Sequence, residues 1–324
     1  MLRVGRRGVR VRPFCEKAQV QPAGYSRTLQ RALTDFGAEE SFARAAARVK
    51  EHYGIEIASS AIRRITYQHA RKIQVVEPAK PSRPAKTLIT QIDGSMIPLV
   101  KPGSNGDRRK GKELLWSEAR LCCARADEQV RRVYGATLGT LESVSLLWAQ
   151  TARYGGLKAE TYVHGVGDGA PWIVEKFNDN FGSQGKYLID FYHVSEYLAS
   201  AALKVAPEKA MPWLRKQKAR LMMGQARKIL RTLEPYREAP GTAETPVEDA
   251  ARYIRQRLEH LHYPQARKAK LPIGSGEVES GHRHVIQHRL KLPGAWWKQT
   301  NAQAMLSLRV ARANGCWNAY WSPN

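Results

Sequence analysis

Apolar positions first fall into a helical rhythm at Phe42, Ala45, Ala46, Val49 and Tyr53, with Gly54 placed to end the helix. A second helix is expected to open at Ser59 or Ser60 as N-cap. It carries Ala61, Ile62 and Ile65 on one face and Arg63, Arg64, Arg71 and Lys72 elsewhere. Two short helices in succession, the second one basic, have the outline of a helix-turn-helix, an outline that ordinary helical hairpins share. Residues 77–86 then hold Pro78, Pro81 and Pro84 and read as a linker.

Beyond the linker the rhythm changes to β-branched, strand-like runs at 88–99, 113–124 and 130–138. A helix at 141–153, a strand at 161–166, a helix at 171–181 with Pro171 in its first turn, and a strand at 186–192 follow. Three consecutive strands and then helix-separated ones predict a mixed five-stranded sheet of the α/β class, antiparallel first and parallel afterwards, with flanking helices. Residues 194–270 read as helical and strongly basic, Arg215 and Lys216 among them, broken by a Pro- and Gly-bearing loop at 240–246. An insertion of this size implies a subdomain. Gly274-Ser-Gly then opens a helix, and 301–314 forms a last amphipathic one that closes at Gly315.

Six parts result: a basic flexible arm at 1–25, a helix-turn-helix-like DNA-binding region at 26–76, and the linker at 77–86. After these come a first stretch of α/β core at 87–198, the all-helical insertion at 199–271, and the return of the core at 272–324.

Charge changes the picture. The 324 residues hold 53 Lys and Arg against 29 Asp and Glu, a formal net charge of +24, which suits a polyanionic partner such as DNA. No run of about 18–20 apolar residues and no signal-type start is present, so a soluble, cytoplasmic protein is expected, nucleoid-associated if DNA is its partner. Cys15, Cys122, Cys123 and Cys316 lack metal-ligand spacing and suggest neither a disulfide nor a zinc site.

Against that basic background three segments each place a carboxylate where cation chemistry would use it. Asp93 ends the apolar strand that begins near Leu88. Asp168 ends a second one, between Gly167 and Gly169. On neighbouring parallel strands both would stand at the carboxyl edge of the sheet, where open α/β folds bind ligands. Two such charges are unfavourable side by side without a cation, and hard oxygen donors select Mg2+ or Mn2+. Glu277 and Glu279 lie on the helix after Gly274-Ser-Gly. They face about 200° apart, so only one can point inward, and the period leaves the choice open. Two ions held by three carboxylates suit phosphoryl transfer, one activating the attacking hydroxyl and one stabilising the leaving 3′ oxygen.

Several strings together resemble bacterial insertion-sequence transposases of the ISKra group, distantly Mutator-like. They are Gln91-Ile-Asp-Gly, Asp168-Gly-Ala-Pro-Trp-Ile, Asp190-Phe-Tyr-His-Val-Ser-Glu-Tyr-Leu, Pro272-Ile-Gly-Ser-Gly-Glu-Val-Glu-Ser-Gly and Arg289-Leu-Lys. Gly24-Tyr-Ser-Arg and the string from Leu29 to Gly37 are similar as well, so the resemblance covers about residues 24–320. It implies an RNase H-like core interrupted by the insertion, and a triad of Asp93, Asp168 and Glu279 that both holds the metal and carries the catalysis. Glu279 is preferred because relatives place the glutamate before a small residue and Gly, as in Glu279-Ser-Gly. Asp190 and His193 match a Cys/Asp-x-x-His signature and become supporting residues, as does Glu277. Relatives are usually longer at the amino end and cysteine-rich there, so the resemblance implies a copy shortened at that end, which bears on its recognition of element ends. The resemblance also implies a homo-oligomer that pairs two DNA ends.

Other side chains fill in the reading. His282, His284 and His288 share a helix, and His284 and His288 have zinc-pair spacing. Without a third ligand and with Arg283 and Arg289 beside them, phosphate contact is favoured, Lys291 adding to it. Trp213, Trp296 and Trp297 are candidates for stacking on unpaired bases, with buried packing the commoner role. The leading reading is a DDE transposase that cuts and joins DNA strands. The alternatives are a non-catalytic, transposase-derived DNA-binding protein and an RNase H-like nuclease or resolvase.

Overall fold

The computed structural model describes residues 2–4, 9–11, 24–81, 83–101, 103 and 111–322. Within the expected arm, β1 (Leu2–Val4) and β2 (Val9–Val11) pair antiparallel, a ladder that composition alone does not foretell. Residues 5–8 and 12–23, Cys15 among them, lie outside the described residues.

The chain forms two compact units, one of residues 1–78, 96–117 and 283–324 and the other of 79–95 and 118–282. In the first, helices Arg27–Glu39, Phe42–Tyr53 and Ser59–Ile73 close over Leu33, Ala45, Val49, Ile62 and Ile65. The Ser26 and Ser41 hydroxyls accept from Leu29 N and Arg44 N at 3.2 and 3.3 Å, capping the first two helices. Gly54, at φ 64°, ends the second in the left-handed conformation that glycine adopts freely. The third starts after Ala58 with no side-chain cap, so neither Ser59 nor Ser60 serves as its N-cap.

The last long helix, Gln299–Ala313, belongs to this unit and packs on Ser59–Ile73. Buried Arg309 also ties it to helix Arg27–Glu39: its guanidinium donates to Ala38 O at 3.2 Å and pairs with Glu39 at 2.5 Å, while Arg312 reaches Glu39 at 3.2 Å. The segment from 283 onward thus groups with the amino-terminal helices, not with the sheet.

The sheet joins β3 (Thr87–Lys101), β4 (Glu113–Ala126), β5 (Val133–Thr137), β6 (Tyr162–Gly167) and β7 (Gly185–Ile189) in the order β5-β4-β3-β6-β7. β4 and β5 are antiparallel, whereas β3 with β6 and β6 with β7 are parallel. With helices Leu141–Tyr154 and Pro171–Phe181 as connections and Phe191–Val205 following β7, this is an RNase H-like topology. Trp148 anchors the core, its rings 6.0 and 5.3 Å from those of Phe177 and Phe181, and its indole N–H donates to Thr90 Oγ1 at 2.7 Å. A Cβ on Gly165 would come within 2.4 Å of the Phe177 ring, so the close approach of helix to strand requires glycine there.

Two expectations need correction. The strand expected at 186–192 ends at Ile189, because the Asp190 carboxylate accepts from Tyr192 N and His193 N and starts a helix at Phe191. The insertion is not a separate body. Its Leu221, Ile229, Leu233, Val247 and Ile254 are buried in the same apolar cluster as Leu88, Val163 and Leu188 of the sheet. Among the described residues no helix is long and apolar enough to cross a membrane.

Candidate active site

Strand register places the acids. β3 and β6 pair from Thr87↔Tyr162 to Gln91↔Val166, so the same register carried two residues further sets Asp93 opposite Asp168. β6 and β7 pair as far as Gly167↔Ile189, and the next step sets Asp168 opposite Asp190. Three aspartates therefore stand level, Asp168 and Asp190 directly after the ends of β6 and β7 and Asp93 within β3, which runs on to Lys101 and does not end at Asp93 as expected. Asp93, Asp168 and Asp190, together with Glu279, line one cavity of about 160 Å³, which His193, Glu196 and Ser275 also border.

Each carboxylate meets different company. Asp93 Oδ1 accepts from Gly94 N at 2.7 Å, and its Oδ2 lies 3.4 Å from His282 Nε2. Burial, helped by the charges of Asp168, Glu279 and Glu118, pushes the Asp93 carboxyl up to about 6. Asp168 Oδ1 accepts from Ala170 N at 2.9 Å. Asp190 is 2% exposed. Besides capping its helix it accepts on Oδ2 from Ser275 N at 2.6 Å and from Ser275 Oγ at 2.5 Å. Asp190 is thus a latch between the end of β7 and the start of the Glu279 helix, not an open ligand.

The two glutamates separate. Glu277 is held by Arg125, whose Nε and Nη2 donate to Oε1 at 2.9 and 2.7 Å, and by Arg132, whose Nε donates to Oε2 at 2.7 Å. Burial alone would raise its carboxyl, but the hydrogen bonds and charges of these two arginines hold it below the usual range. Glu279 lines the cavity and is exposed. Its Oε1 is 3.2 Å from Ser275 Oγ, whose single proton has a shorter path to Asp190.

The set of donors, all carboxylate oxygens on one small cavity, fits a hard divalent cation in kind. Among the described residues, however, no three His, Cys, Asp or Glu side chains are gathered closely enough to hold an ion as they stand. Like charges with nothing between them repel, and exposed Glu279 has no packing to hold it inward.

Gln91, Tyr253 and Arg257 were not singled out from the sequence, and His282, expected at phosphate, stands beside Asp93. Gln91 is 1% exposed; its amide N–H donates to Gly274 O at 3.3 Å and its Oε1 accepts from Val278 N at 2.9 Å. It ties the Asp93 strand to the start of the Glu279 helix, and its place two residues before Asp93, on the same strand face, is the signal for it. Tyr253 and Arg257 come from the insertion. The Tyr253 hydroxyl donates to Asp168 O and Arg257 Nε donates to Gly169 O at 3.1 Å, so the insertion clasps the Asp168 loop. His282, three positions after Glu279, returns to the same helix face and meets Asp93. A short π-helical stretch, His282–Gln287, follows directly, a feature frequent at functional sites.

His193 lies in the first turn of its helix with Nδ1 3.6 Å from Glu196 Oε2. Of the expected phosphate-contacting cations, Arg63, Arg64, Arg71, Lys72, Arg215, Lys216, Arg283 and Lys291 are exposed. Arg289 is not: at 2% exposure it donates from Nε to Gly37 O at 3.0 Å, between the rings of Phe42 and Trp297. His288 Nε2 lies 3.3 Å from Glu39 Oε2. Trp297 is buried and donates to Leu290 O at 3.0 Å, whereas Trp296 is 41% exposed.

A family model for an uncharacterised protein family, UPF0236, matches residues 23–320. The chain belongs to this family. It is 22% identical over 291 residues to a UPF0236 protein in the vanSb 3′ region of Streptococcus gallolyticus; the match takes in 87% of this chain and 62% of that relative's length. Among solved structures it is similar to a Drosophila P element transposase strand transfer complex, with a TM-score of 0.36 and 8% identity over 95% of this chain and 83% of that one. A likeness at that score carries no functional weight.

Proposed function

We propose that this UPF0236 chain is a DNA-strand-processing enzyme, a DDE transposase of the insertion-sequence kind. The observation that carries the reading is the convergence of Asp93 from within β3, Asp168 from the end of β6 and Glu279 from a helix on a single cavity in a chain of net charge +24. DNA is the polyanion, with exposed cations such as Arg63, Arg64, Arg215 and Lys216 along its backbone. An oligomer that pairs two element ends is part of the same proposal.

Asp93, Asp168 and Glu279 would hold Mg2+ or Mn2+, two ions in all. When bound, the ions would neutralise the carboxylates and draw charge from the phosphate under attack. The chain's own residues set the geometry. Asp190 and Gln91 fix the Glu279 helix against the strand ends, Tyr253 and Arg257 steady the Asp168 loop, and His282 stands beside Asp93. In the first step the oxygen of water joins phosphorus while the bond to the 3′ oxygen breaks, and that oxygen leaves as a hydroxyl. In the second the freed 3′-hydroxyl attacks a target phosphodiester, displacing its 3′ oxygen in line.

The test is incubation of the purified chain with duplexes carrying the DNA that flanks its gene, with Mg2+ or with EDTA. Cleavage and joining with Mg2+, both abolished in Asp93→Ala and Glu279→Ala while DNA binding is kept, are the expected results. Nicking by either variant would remove the triad, and cleavage without joining would make the chain a nuclease.

A further inference from the structure

Apart from the carboxylates, the helical unit carries a second cavity, a cleft of about 580 Å³. Helices Phe42–Tyr53 and Ser59–Ile73 and the segment 289–301 supply most of its wall. This is the size range of small-ligand sites, about 300–1,000 Å³.

Its charge has one sign. Arg63, Lys112, Arg289 and Lys298 line it, and no carboxylate is found among the described residues that do so. Arg289 is nearly buried, and burial brings its guanidinium down to about 10, so it remains a cation at neutral pH within the wall. Four cations and, among the described residues, no acid suit this cleft to an anion.

Its aromatic content points further. Trp296 stays 41% exposed at this cleft, and its ring lies 6.2 Å from that of Trp116, itself 58% exposed. Phe42 and Tyr67 form another part of the lining. Two neighbouring tryptophans that keep much of their surface in solvent would be covered by a flat aromatic ligand. A peptide or a lipid tail would use the rings but leave the cations unanswered, and free phosphate would do the reverse. A nucleotide answers both, provided its base is out of the duplex stack and offers a face.

We infer that this cleft takes an unpaired nucleotide of a DNA strand, the base against Trp296 and the phosphates on Arg63, Lys112 and Lys298. The choice of DNA rests on the function proposed above. The cleft would let the chain prefer strands that are frayed, tailed or already nicked over intact duplex.

The experiment compares three fluorescein-labelled DNAs by anisotropy in EDTA: a blunt duplex, the same duplex with an unpaired 3′ tail, and an oligothymidylate. Tryptophan quenching is read alongside. The wild-type chain is expected to bind the tailed duplex tighter than the blunt one. Trp296→Ala and Lys298→Ala each alter an exposed side chain, so folding, checked by circular dichroism, should hold. Each should weaken binding of the tail and of oligothymidylate by about tenfold and leave the blunt duplex unchanged. Equal wild-type affinity for blunt and tailed DNA, or equal losses on both in the variants, overturns the inference. Asp93→Ala separates the two readings. It should lose nicking yet keep the preference for a tail. A wild-type chain that prefers tails but never nicks keeps the cleft and discards the transposase, while one that nicks without preferring tails does the opposite.

Discussion

Asp190 gathers Ser275 onto one carboxylate oxygen, accepting its backbone N–H at 2.6 Å and its hydroxyl at 2.5 Å. The other oxygen caps the helix that begins at Phe191. Asp190→Ala would strip partners from buried donors on both sides and should cost about 3–5 kcal/mol in urea unfolding. Ser275→Ala, which keeps the backbone bond, should cost about 1 kcal/mol. Equal losses in the two variants would mean that the latch is not Asp190 itself.

Asp93 sets a pH dependence. Its carboxyl stands at about 6 in the fold against an ordinary 3.8, so the folded chain holds the proton more tightly than the unfolded one. The contribution to stability is full below pH 4 and is lost as pH rises to about 6. Asp93→Asn should therefore raise the melting temperature at pH 7.5 in EDTA and flatten the slope between pH 4 and 6. With the side chain 38% exposed, solvent screening limits the gain. After that discount it is about 1 kcal/mol, or roughly 2–4 °C.

Added Mg2+ should reverse that order. An ion that binds only the folded chain stabilises it by mass action, so millimolar Mg2+ should raise the wild-type melting temperature and leave Asp93→Asn unmoved. Identical shifts in both chains would place any bound ion elsewhere.

Glu277 and Glu279 should differ in opposite assays. Glu277→Gln leaves Arg125 and Arg132 without their carboxylate and should cost about 2–4 kcal/mol of stability. Glu279→Gln should change stability by less than about 0.5 kcal/mol and abolish nicking. Scanning calorimetry of both variants beside a nicking assay checks the pair, and a silent Glu279→Gln would transfer the role to another acid.

Gln91→Leu keeps the volume but gives up the bonds to Gly274 O and Val278 N. About 2 kcal/mol of stability should go, with nicking reduced more than DNA affinity, because the substitution loosens the Glu279 helix and touches no DNA-facing cation. A loss of affinity equal to the loss of nicking would contradict this.

What the sequence made legible follows from range. Asp93 and Asp168 end apolar, β-branched runs, a local pattern, and strand alternation placed them at one sheet edge. The choice between Glu277 and Glu279 could not be read from helical period, because Arg125 and Arg132, which claim Glu277, come from β4 and the approach to β5. Arg289 looked like a phosphate contact for the same reason: Gly37 O, Phe42 and Trp297, which bury it, are distant in sequence or beyond a turn. Helix Arg27–Glu39 buries Leu33, Thr34, Gly37 and Ala38 on a pattern as amphipathic as that of Phe42–Tyr53, so it too was open to a local reading. The insertion read as separate because its basic face is continuous in sequence, whereas the apolar face that joins the core of the sheet is spread over several helices.

The shared level of Asp93, Asp168 and Asp190 has a consequence for how this chain tolerates change. Nothing but ladder register puts those three carboxyls on one rung. Deleting one residue between Leu88 and Ile92 would leave a strand still able to pair, yet it would draw Asp93 back one rung and turn it to the opposite face. Many substitutions along β3 or β6 would alter packing alone, while single-residue insertions and deletions there would dismantle the site in a sheet that still forms.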